Sequence, residues 1–169
     1  KKDNKDEESL LNELNELVVN SFKFQTRTDT DLGINCSGGI DSKLMMLTLN
    51  KLNKGQKNIR ACSYYFDDKN ISEKKDLEEF SKKINWEINY TKITPEDIIN
   101  NFDEVFESQD EPFPGIPTIS KHILIKKNYN KNFKVILEAQ GGDDIAAGYK
   151  YVFPFYLKSL IKKFKYIKA

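Results

Sequence analysis

A glycine turn between an apolar run and a helix-forming segment constrains this chain more than any other feature. The run Leu32–Cys36 is typical of a short buried strand, and it passes directly into Ser37-Gly38-Gly39. The segment Leu44–Leu52 then predicts a helix that ends at Lys54-Gly55, where glycine can take the left-handed conformation that helix ends require. The sequence therefore predicts a strand, a glycine loop and a helix in direct succession.

The same alternation continues along the chain. Aromatic and β-branched content predicts three further strands: Ile59–Phe66, Trp86–Ile93 and Val135–Leu137. Apolar spacing and helix-start signals predict helices before, between and after them: Glu7–Phe22, Ser72–Ile84 with Ser72 as its N-cap, Pro95–Phe106 with Thr94 as its cap, Thr118–Tyr129 and one that begins at Pro154. Three prolines and a glycine make Gln109–Pro117 a loop. We predict an α/β fold with a parallel, doubly wound sheet, in one domain over residues 1–169.

Composition excludes several classes of protein. The 169 residues include 27 Lys and Arg against 26 Asp and Glu, a formal net charge of +1 that argues against a nucleic-acid partner. No apolar run approaches the ~20 residues of a membrane-spanning helix, and no membrane partner is expected. Cys36 and Cys62 form neither a disulfide framework nor a metal cluster of the CxxC kind. We expect a soluble protein of the reducing cytoplasm.

The residue types of the glycine loop suit a polyphosphate ligand. Gly38 and Gly39 let the backbone approach phosphate oxygens, and the free amides at the helix start point at an anion. Ser37 and Ser42 add hydroxyl donors. Asp41 would be repelled by phosphate alone, so we expect Mg²⁺ to bridge its carboxylate and the phosphates. The loop lacks the Gly-Lys-Ser/Thr ending of a Walker A motif, which argues against ordinary γ-phosphate hydrolysis.

The sequence SGGIDS at residues 37–42 resembles the signature SGGxDS of the PP-loop ATP pyrophosphatases, which cleave ATP between the α and β phosphates. The alternative is a generic Ser-Gly-Gly turn. The resemblance implies the adenine nucleotide α-hydrolase fold. Asparagine synthetases share the signature with guanosine monophosphate, NAD and argininosuccinate synthetases and with several tRNA-modifying enzymes, so this loop alone does not choose among them.

A second segment discriminates among these families. Val135–Tyr149 reads VILEAQGGDDIAAGY and resembles the asparagine synthetase segment VLSGEGxDELFGGY. Upstream, Cys62–Asp68 resembles the strand end FSIGFED of that family, and Asp110–Phe113 resembles its DEP stretch. The resemblance implies that ATP adenylates a small-molecule carboxylate, aspartate or a related acid, which ammonia then attacks. ATP and Mg²⁺ are the implied cofactors.

The resemblance also implies roles for individual residues. Asp41 and Asp143 are the expected metal ligands and catalytic residues, because two carboxylates that face each other across the cleft would neutralise a Mg²⁺–pyrophosphate pair. Gln140 is the third expected catalytic position. The other ATP-binding residues divide into the pyrophosphate loop, which comprises Ser37, Gly38, Gly39 and Ser42, and four positions that act through their backbone, which are Asn35, Tyr64, Glu138 and Ala139.

Departures from the family pattern leave alternatives open. Gln140 stands where asparagine synthetases usually carry Glu, and a carboxamide forms hydrogen bonds but does not serve as a general base. Beside amidation of aspartate, the alternatives are an enzyme whose product is an amidated sugar acid of a surface polysaccharide or a cyclised peptide, and a nucleotide-binding module without catalysis. The glutaminase domain that supplies ammonia from glutamine, and the catalytic lysine of the later helical region, have no counterpart in residues 1–169. We expect a synthetase domain that is incomplete at its C-terminus, with its oligomeric state left open.

Overall fold

The computed structural model describes residues 5–53, 59–68, 70–129 and 132–162 of the chain. The described residues form two compact units, of which the first ends at Glu138 and the second begins at Ala139. Within these ranges no helix is both long enough and apolar enough to cross a membrane. The single synthetase domain stays a prediction.

A four-stranded sheet forms the centre of the first unit. Its strands are β1 (Asp31–Asn35), β2 (Ile59–Tyr65), β3 (Ile88–Lys92) and β4 (Phe133–Glu138). The helices of this unit are α1 (Glu7–Gln25), α2 (Ile40–Asn53), α3 (Lys74–Lys83), α4 (Pro95–Gln109) and α5 (Ile116–Asn128). The second unit contains α6 (Gly142–Ala146) and α7 (Val152–Lys162).

The strand order is β3-β2-β1-β4, and all neighbouring strands are parallel. The chain adds β2 and β3 on one side of β1 and then returns to add β4 on the other side. Such a reversal is a topological switch point, where the loops after two neighbouring strands diverge and leave a crevice at the carboxyl ends. The segments after β1 and β4 both start at this point, and they contain most of the candidate residues that the sequence indicates.

Helices cover both faces of the sheet. The side chains of neighbouring strand residues point to opposite faces, so those of Tyr90 and Thr91 lie on the two faces of the sheet at β3. Lys74 of α3 places its ammonium 5.2 Å from the centroid of the Tyr90 ring, whereas Asn128 of α5 donates a hydrogen bond of 2.7 Å to the Thr91 hydroxyl. Helices α3 and α5 therefore lie on opposite faces, which confirms the predicted doubly wound α/β architecture.

Tyr129 packs where β1 lacks a side chain. A Cβ built on Gly33 would lie 2.9 Å from Tyr129 Cζ and closer still to Cε1, so only glycine leaves room for the ring. The Tyr129 hydroxyl donates to the carbonyl oxygen of Ile34 at 2.9 Å and lies 3.0 Å from the Asn35 side-chain oxygen. The end of α5 is thereby joined to the carboxyl end of β1.

Two predicted element starts are wrong for identifiable reasons. Ser72 is not the N-cap of α3, because that helix begins at Lys74 after Glu73, whose side chain makes no capping hydrogen bond. Strand β3 begins at Ile88 rather than at Trp86, since the Trp86 amide donates to the Ser81 carbonyl at 3.0 Å and closes the end of α3 instead.

Other boundaries shift without a change of element type. Helix α5 begins at Ile116, two residues before the prediction, because Pro117 fits the first turn of a helix, where its missing N–H is not needed. Helix α4 extends to Gln109, which shortens the predicted loop, and α7 begins at Val152 rather than Pro154. The short helix α6 was not predicted. The helix end predicted at Lys54-Gly55 lies outside the described residues.

We expect Gly33→Ala to lower the free energy of unfolding by about 2 kcal/mol, because the added methyl group collides with the Tyr129 ring. The intrinsic preference acts in the opposite direction, since alanine is favoured over glycine in a regular element by about 0.5–1 kcal/mol. Urea unfolding followed by the fluorescence of Trp86, the single tryptophan, measures the difference.

The same substitution in a Tyr129→Leu background is the control. Removal of the ring frees the space, so Gly33→Ala should cost much less there than in the parent chain. An equal loss in both backgrounds would show that the contact with Tyr129 is not the reason for glycine at this position.

Candidate functional site

The glycine loop leaves the carboxyl end of β1 and enters α2. The hydroxyls of Ser37 and Ser42 lie 3.0 Å apart, and Ser42 Oγ also accepts a hydrogen bond of 3.1 Å from the Ser37 amide. The Gly39 amide donates to Ser37 Oγ at 3.2 Å. These bonds fold the loop back onto the first turn of α2, where the first amides of a helix have no partner within the helix. The structure thus brings together the loop residues that the sequence names.

Gly38 contacts a carboxylate that the sequence analysis missed. Its amide donates a hydrogen bond of 2.8 Å to Glu73 Oε2, and a Cβ built on Gly38 would lie 2.8 Å from Glu73 Cβ. Glu73 directly precedes α3, beyond the carboxyl end of β2, which pairs with β1. Its position after a predicted strand is too weak a sequence signal to single it out, and the local capping rule favours Ser72.

Asp41 lies in the first turn of α2 and is half-buried. Within the described part of the chain, no group is seen to form a hydrogen bond or an ion pair with its carboxylate. A negative charge in the first turn stabilises a helix through the helix dipole, and this role alone is satisfied by an exposed acid. Asp41 belongs to the same segment as Ser37 and Ser42, and its carboxylate is in addition a hard oxygen donor for a cation.

Asn35 and Glu138 meet at the switch point. The Asn35 side-chain amide donates a hydrogen bond of 2.7 Å to Glu138 Oε1, which joins the last residues of β1 and β4. Lys121 of α5 forms an ion pair with the other carboxylate oxygen of Glu138. Tyr129, directly after α5, contacts the Asn35 side chain. Residues of α5 and its end therefore hold both members of the pair, Lys121 the Glu138 side chain and Tyr129 the Asn35 side chain. Sequence reasoning named Asn35 and Glu138 but missed Lys121 and Tyr129, which only the packing of α5 on the sheet brings near.

A cavity of about 880 Å³ opens beside the loop in the first unit. Tyr64 contributes its ring to the wall and contacts Phe66 edge-to-face, with 5.7 Å between the ring centroids. Burial raises the pKa of the Tyr64 hydroxyl, and the charges of Glu73 and Glu138 raise it further. The remaining wall is mostly apolar and includes residues that sequence reasoning missed: Ile71, Pro95, Ile98, Ile99, Ile116 and Pro117.

The Cys36 thiol also lines this cavity. Burial raises its pKa to about 12, and the nearby Cys62 acts in the same direction. A thiol with so high a pKa stays protonated at neutral pH, and the thiolate is the nucleophilic form. Cys36 therefore contributes an apolar surface to the cavity rather than a reactive group.

The second unit contains the remaining candidates. Ala139 and Gln140 precede α6, and Asp143 lies exposed in its first turn. The Gly148 amide donates to the Asp143 carbonyl at 2.9 Å, and the Asp143 carboxylate occupies the space where a Cβ on Gly148 would lie. The loop after α6 thus folds back against Asp143. The expected pairing of Asp143 with Asp41 stays a prediction.

Comparison with known proteins identifies similar chains. The family model described as asparagine synthase matches residues 13–168. A glutamine-hydrolyzing asparagine synthetase of Bacillus subtilis is 25% identical over 144 residues, which cover 85% of this chain and 22% of that protein. A protein of Penicillium rubens named amidase chyE is 22% identical over 161 residues, which cover 87% of this chain and 24% of that protein. The chain thus spans less than a quarter of the length of either relative.

A solved structure has a similar fold. An NH3-dependent NAD synthetase from Campylobacter jejuni superposes with a TM-score of 0.50 at 16% sequence identity, over 86% of this chain and 61% of that one. At this identity the likeness concerns the fold alone. Together with the parallel sheet of the first unit, it confirms the predicted adenine nucleotide α-hydrolase, or PP-loop, fold.

We expect Lys121→Met to lower the free energy of unfolding by about 1 kcal/mol, because it leaves the Glu138 carboxylate, whose side chain is only 20% exposed, without its cation. Methionine keeps the apolar stem of lysine, so packing is largely retained. In a Glu138→Gln background, where no charge needs compensation, the same substitution should cost less. Urea unfolding of the four proteins measures the coupling.

The ion pair between Lys126 and Glu104 provides the matched control. Lys126 lies on α5, as Lys121 does, and Glu104 lies on α4. Both side chains of this pair are more than half exposed, so Lys126→Met and Glu104→Gln should couple weakly, as exposed ion pairs do. Equal coupling in the two pairs would contradict a special role for the ion pair at the switch point.

Proposed function

Because the chain belongs to the asparagine synthase family, we propose that it forms the nucleotide-binding part of an ATP-dependent carbon–nitrogen ligase. The proposed activity is adenylation of a carboxylate with release of pyrophosphate, followed by attack of ammonia. Similarity to a glutamine-hydrolyzing asparagine synthetase makes aspartate the first acceptor to test, with ammonia taken from glutamine by a glutaminase domain outside these 169 residues.

Continuity between the loop and the cavity is the observation that carries the proposal. Cys36 and Ser37 belong both to the start of the glycine loop and to the cavity wall, so the cavity opens at the loop. Its volume of about 880 Å³ is in the range of small-molecule sites. The apolar walls suit a purine and its ribose, whereas the amides and hydroxyls at the start of α2 suit phosphate oxygens.

The residues present fit Mg²⁺. Protein-bound Mg²⁺ uses one or two carboxylates together with substrate phosphates and water, rather than a closed set of side chains. Asp41 offers a carboxylate in the first turn of the helix that follows the phosphate loop. We propose that Asp41 and Asp143 hold the ion. When bound, it would neutralise charge on the pyrophosphate.

In the proposed reaction, a carboxylate oxygen of the acceptor attacks the α-phosphorus of ATP. The bond from this phosphorus to the bridging oxygen breaks, so that pyrophosphate leaves and an acyl adenylate forms. Ammonia then attacks the acyl carbon, AMP leaves and the nitrogen loses a proton to give the amide. The hydroxyls of Ser37 and Ser42 and the amides at the start of α2 would stabilise the charge on the departing pyrophosphate.

Gln140 favours a second candidate, a nucleotide-binding module without catalysis. Its carboxamide cannot take up a proton as the usual glutamate can. Sugar acids and peptides are alternative acceptors, and both share the adenylation step with aspartate. Release of pyrophosphate therefore separates every ligase from the binding module, and identification of the amide product separates the ligases from one another.

We expect Asp41→Asn to weaken binding of ATP in the presence of Mg²⁺ by about 10- to 100-fold, the effect of losing one charged interaction. Asp143→Asn should act in the same direction if both carboxylates serve one ion. Calorimetric titration measures the affinities, and a coupled assay follows pyrophosphate in the presence of aspartate.

Asp31→Asn is the control, because Asp31 begins β1 and lies exposed at the amino end of the strand that leads to the loop. It removes the same charge and should leave the affinity unchanged. A folded parent chain that does not bind ATP, or equal effects of Asp31→Asn and Asp41→Asn, would contradict the proposed site.

A further inference from the structure

Glu73 directs its side chain at the phosphate loop rather than at its own helix. It occupies the N-cap position of α3 but makes no capping hydrogen bond to the helix amides. Its Oε2 instead accepts a hydrogen bond of 2.8 Å from the Gly38 amide. The contact is close, since a Cβ on Gly38 would lie 2.8 Å from Glu73 Cβ and 3.1 Å from the Glu73 carbonyl oxygen.

In the described part of the chain, no cation is seen to pair with this carboxylate. The next residue is Lys74, and its Nζ lies 3.6 Å from Glu78 Oε1 and 4.0 Å from the centroid of the Tyr65 ring. Lys43 of α2 lies over the Phe80 ring at 5.9 Å. The Glu73 charge therefore faces the loop without a described counterion, and its influence reaches the Tyr64 hydroxyl across the cavity.

We propose that Glu73 determines which anions the loop accepts, by competing with polyphosphate for the Gly38 amide. This inference rests on the proposed function, in which the loop amides hold pyrophosphate. One amide hydrogen cannot serve a carboxylate and a phosphate oxygen at full strength, and two anions at one donor repel each other. A polyphosphate without a cation must therefore displace the Glu73 carboxylate from Gly38.

Glu73→Gln isolates the charge in this competition. Glutamine has nearly the shape of glutamate and can still accept from the Gly38 amide, but it carries no charge. We expect the variant to bind pyrophosphate, in buffer with a chelator and no Mg²⁺, about tenfold more tightly than the parent chain. This is the order of the difference between a charged and a neutral hydrogen-bond partner. Glu73→Ala, which removes the bond as well, should also bind more tightly.

Asp76→Asn is the matched control, since it removes one negative charge from the exposed first turn of the same helix. Glu73 is exposed as well, but Asp76 has no described contact with the loop, so the effect of Asp76→Asn should stay within about twofold. The Gly38 amide resonance in ¹H–¹⁵N spectra gives a second readout. Pyrophosphate should shift it in the parent chain and in Glu73→Gln at saturation, because the same donor changes its acceptor.

The outcomes separate this inference from the proposed function. If the parent chain binds ATP with Mg²⁺ but Glu73→Gln binds pyrophosphate equally or more weakly, the role of Glu73 is overturned and the nucleotide site stands. If only Glu73→Ala binds pyrophosphate more weakly, Glu73 supports the loop and does not compete with the ligand. If Asp76→Asn raises the affinity for pyrophosphate as much as Glu73→Gln does, the competition is overturned as well. If no variant binds ATP or pyrophosphate under any condition, the proposed function fails, and this inference fails with it.

Discussion

The contact between Tyr129 and the end of β1 fixes the base of the phosphate loop. Its ring fills the space above Gly33, and its hydroxyl bonds to the backbone of Ile34, two residues before the loop begins at Cys36. Strand β1 lies between β2 and β4, so the loop leaves the sheet from an inner strand whose position is set on both sides. Displacement of Tyr129 would shift the loop and loosen Asn35, which joins β1 to β4.

Three carboxylates near this edge of the sheet have different environments, although the proposed ligand is itself an anion. Glu138 is paired with Lys121 and bonded to Asn35, so its charge is largely compensated. Glu73 is bonded to the Gly38 amide, and Asp41 has no described partner. A polyphosphate that approaches the loop meets negative charge unless a cation comes with it. Under the proposed function, dependence on a metal ion would therefore arise from the residues around the loop as well as from the ligand.

The alternation of strands and helices was predictable from the sequence, because buried parallel strands and amphipathic helices differ in length and apolar spacing. The loop was predictable as well, since its glycines and hydroxyl residues stand together in the chain. Glu73 and Lys121 were not predictable, because each reaches the site from another element of the fold. Glu73, for example, lies 35 residues from Gly38 in the chain. The predicted start of α3 was wrong for a related reason. Ser72 satisfies a local capping rule, but Glu73 takes the position and directs its side chain to a tertiary partner.

In the second unit, Ala147 and Gly148 follow α6 in the loop that folds back against Asp143. Ala147 adopts φ 55° and ψ 39°, a left-handed conformation that costs a non-glycine residue about 1 kcal/mol or more, at a position where the resembling segment has glycine. Gly148 is retained, and the Asp143 carboxylate needs the space above it. The loop thus keeps the glycine that supports Asp143 and lacks the one that only eases the backbone. Gln140 lacks the base that the usual glutamate would offer. In the proposed reaction the attacking carboxylate is already ionised, so the missing base would act on the step in which the attacking nitrogen loses its proton. The binding module therefore requires, beyond Gln140, that adenylation itself fails.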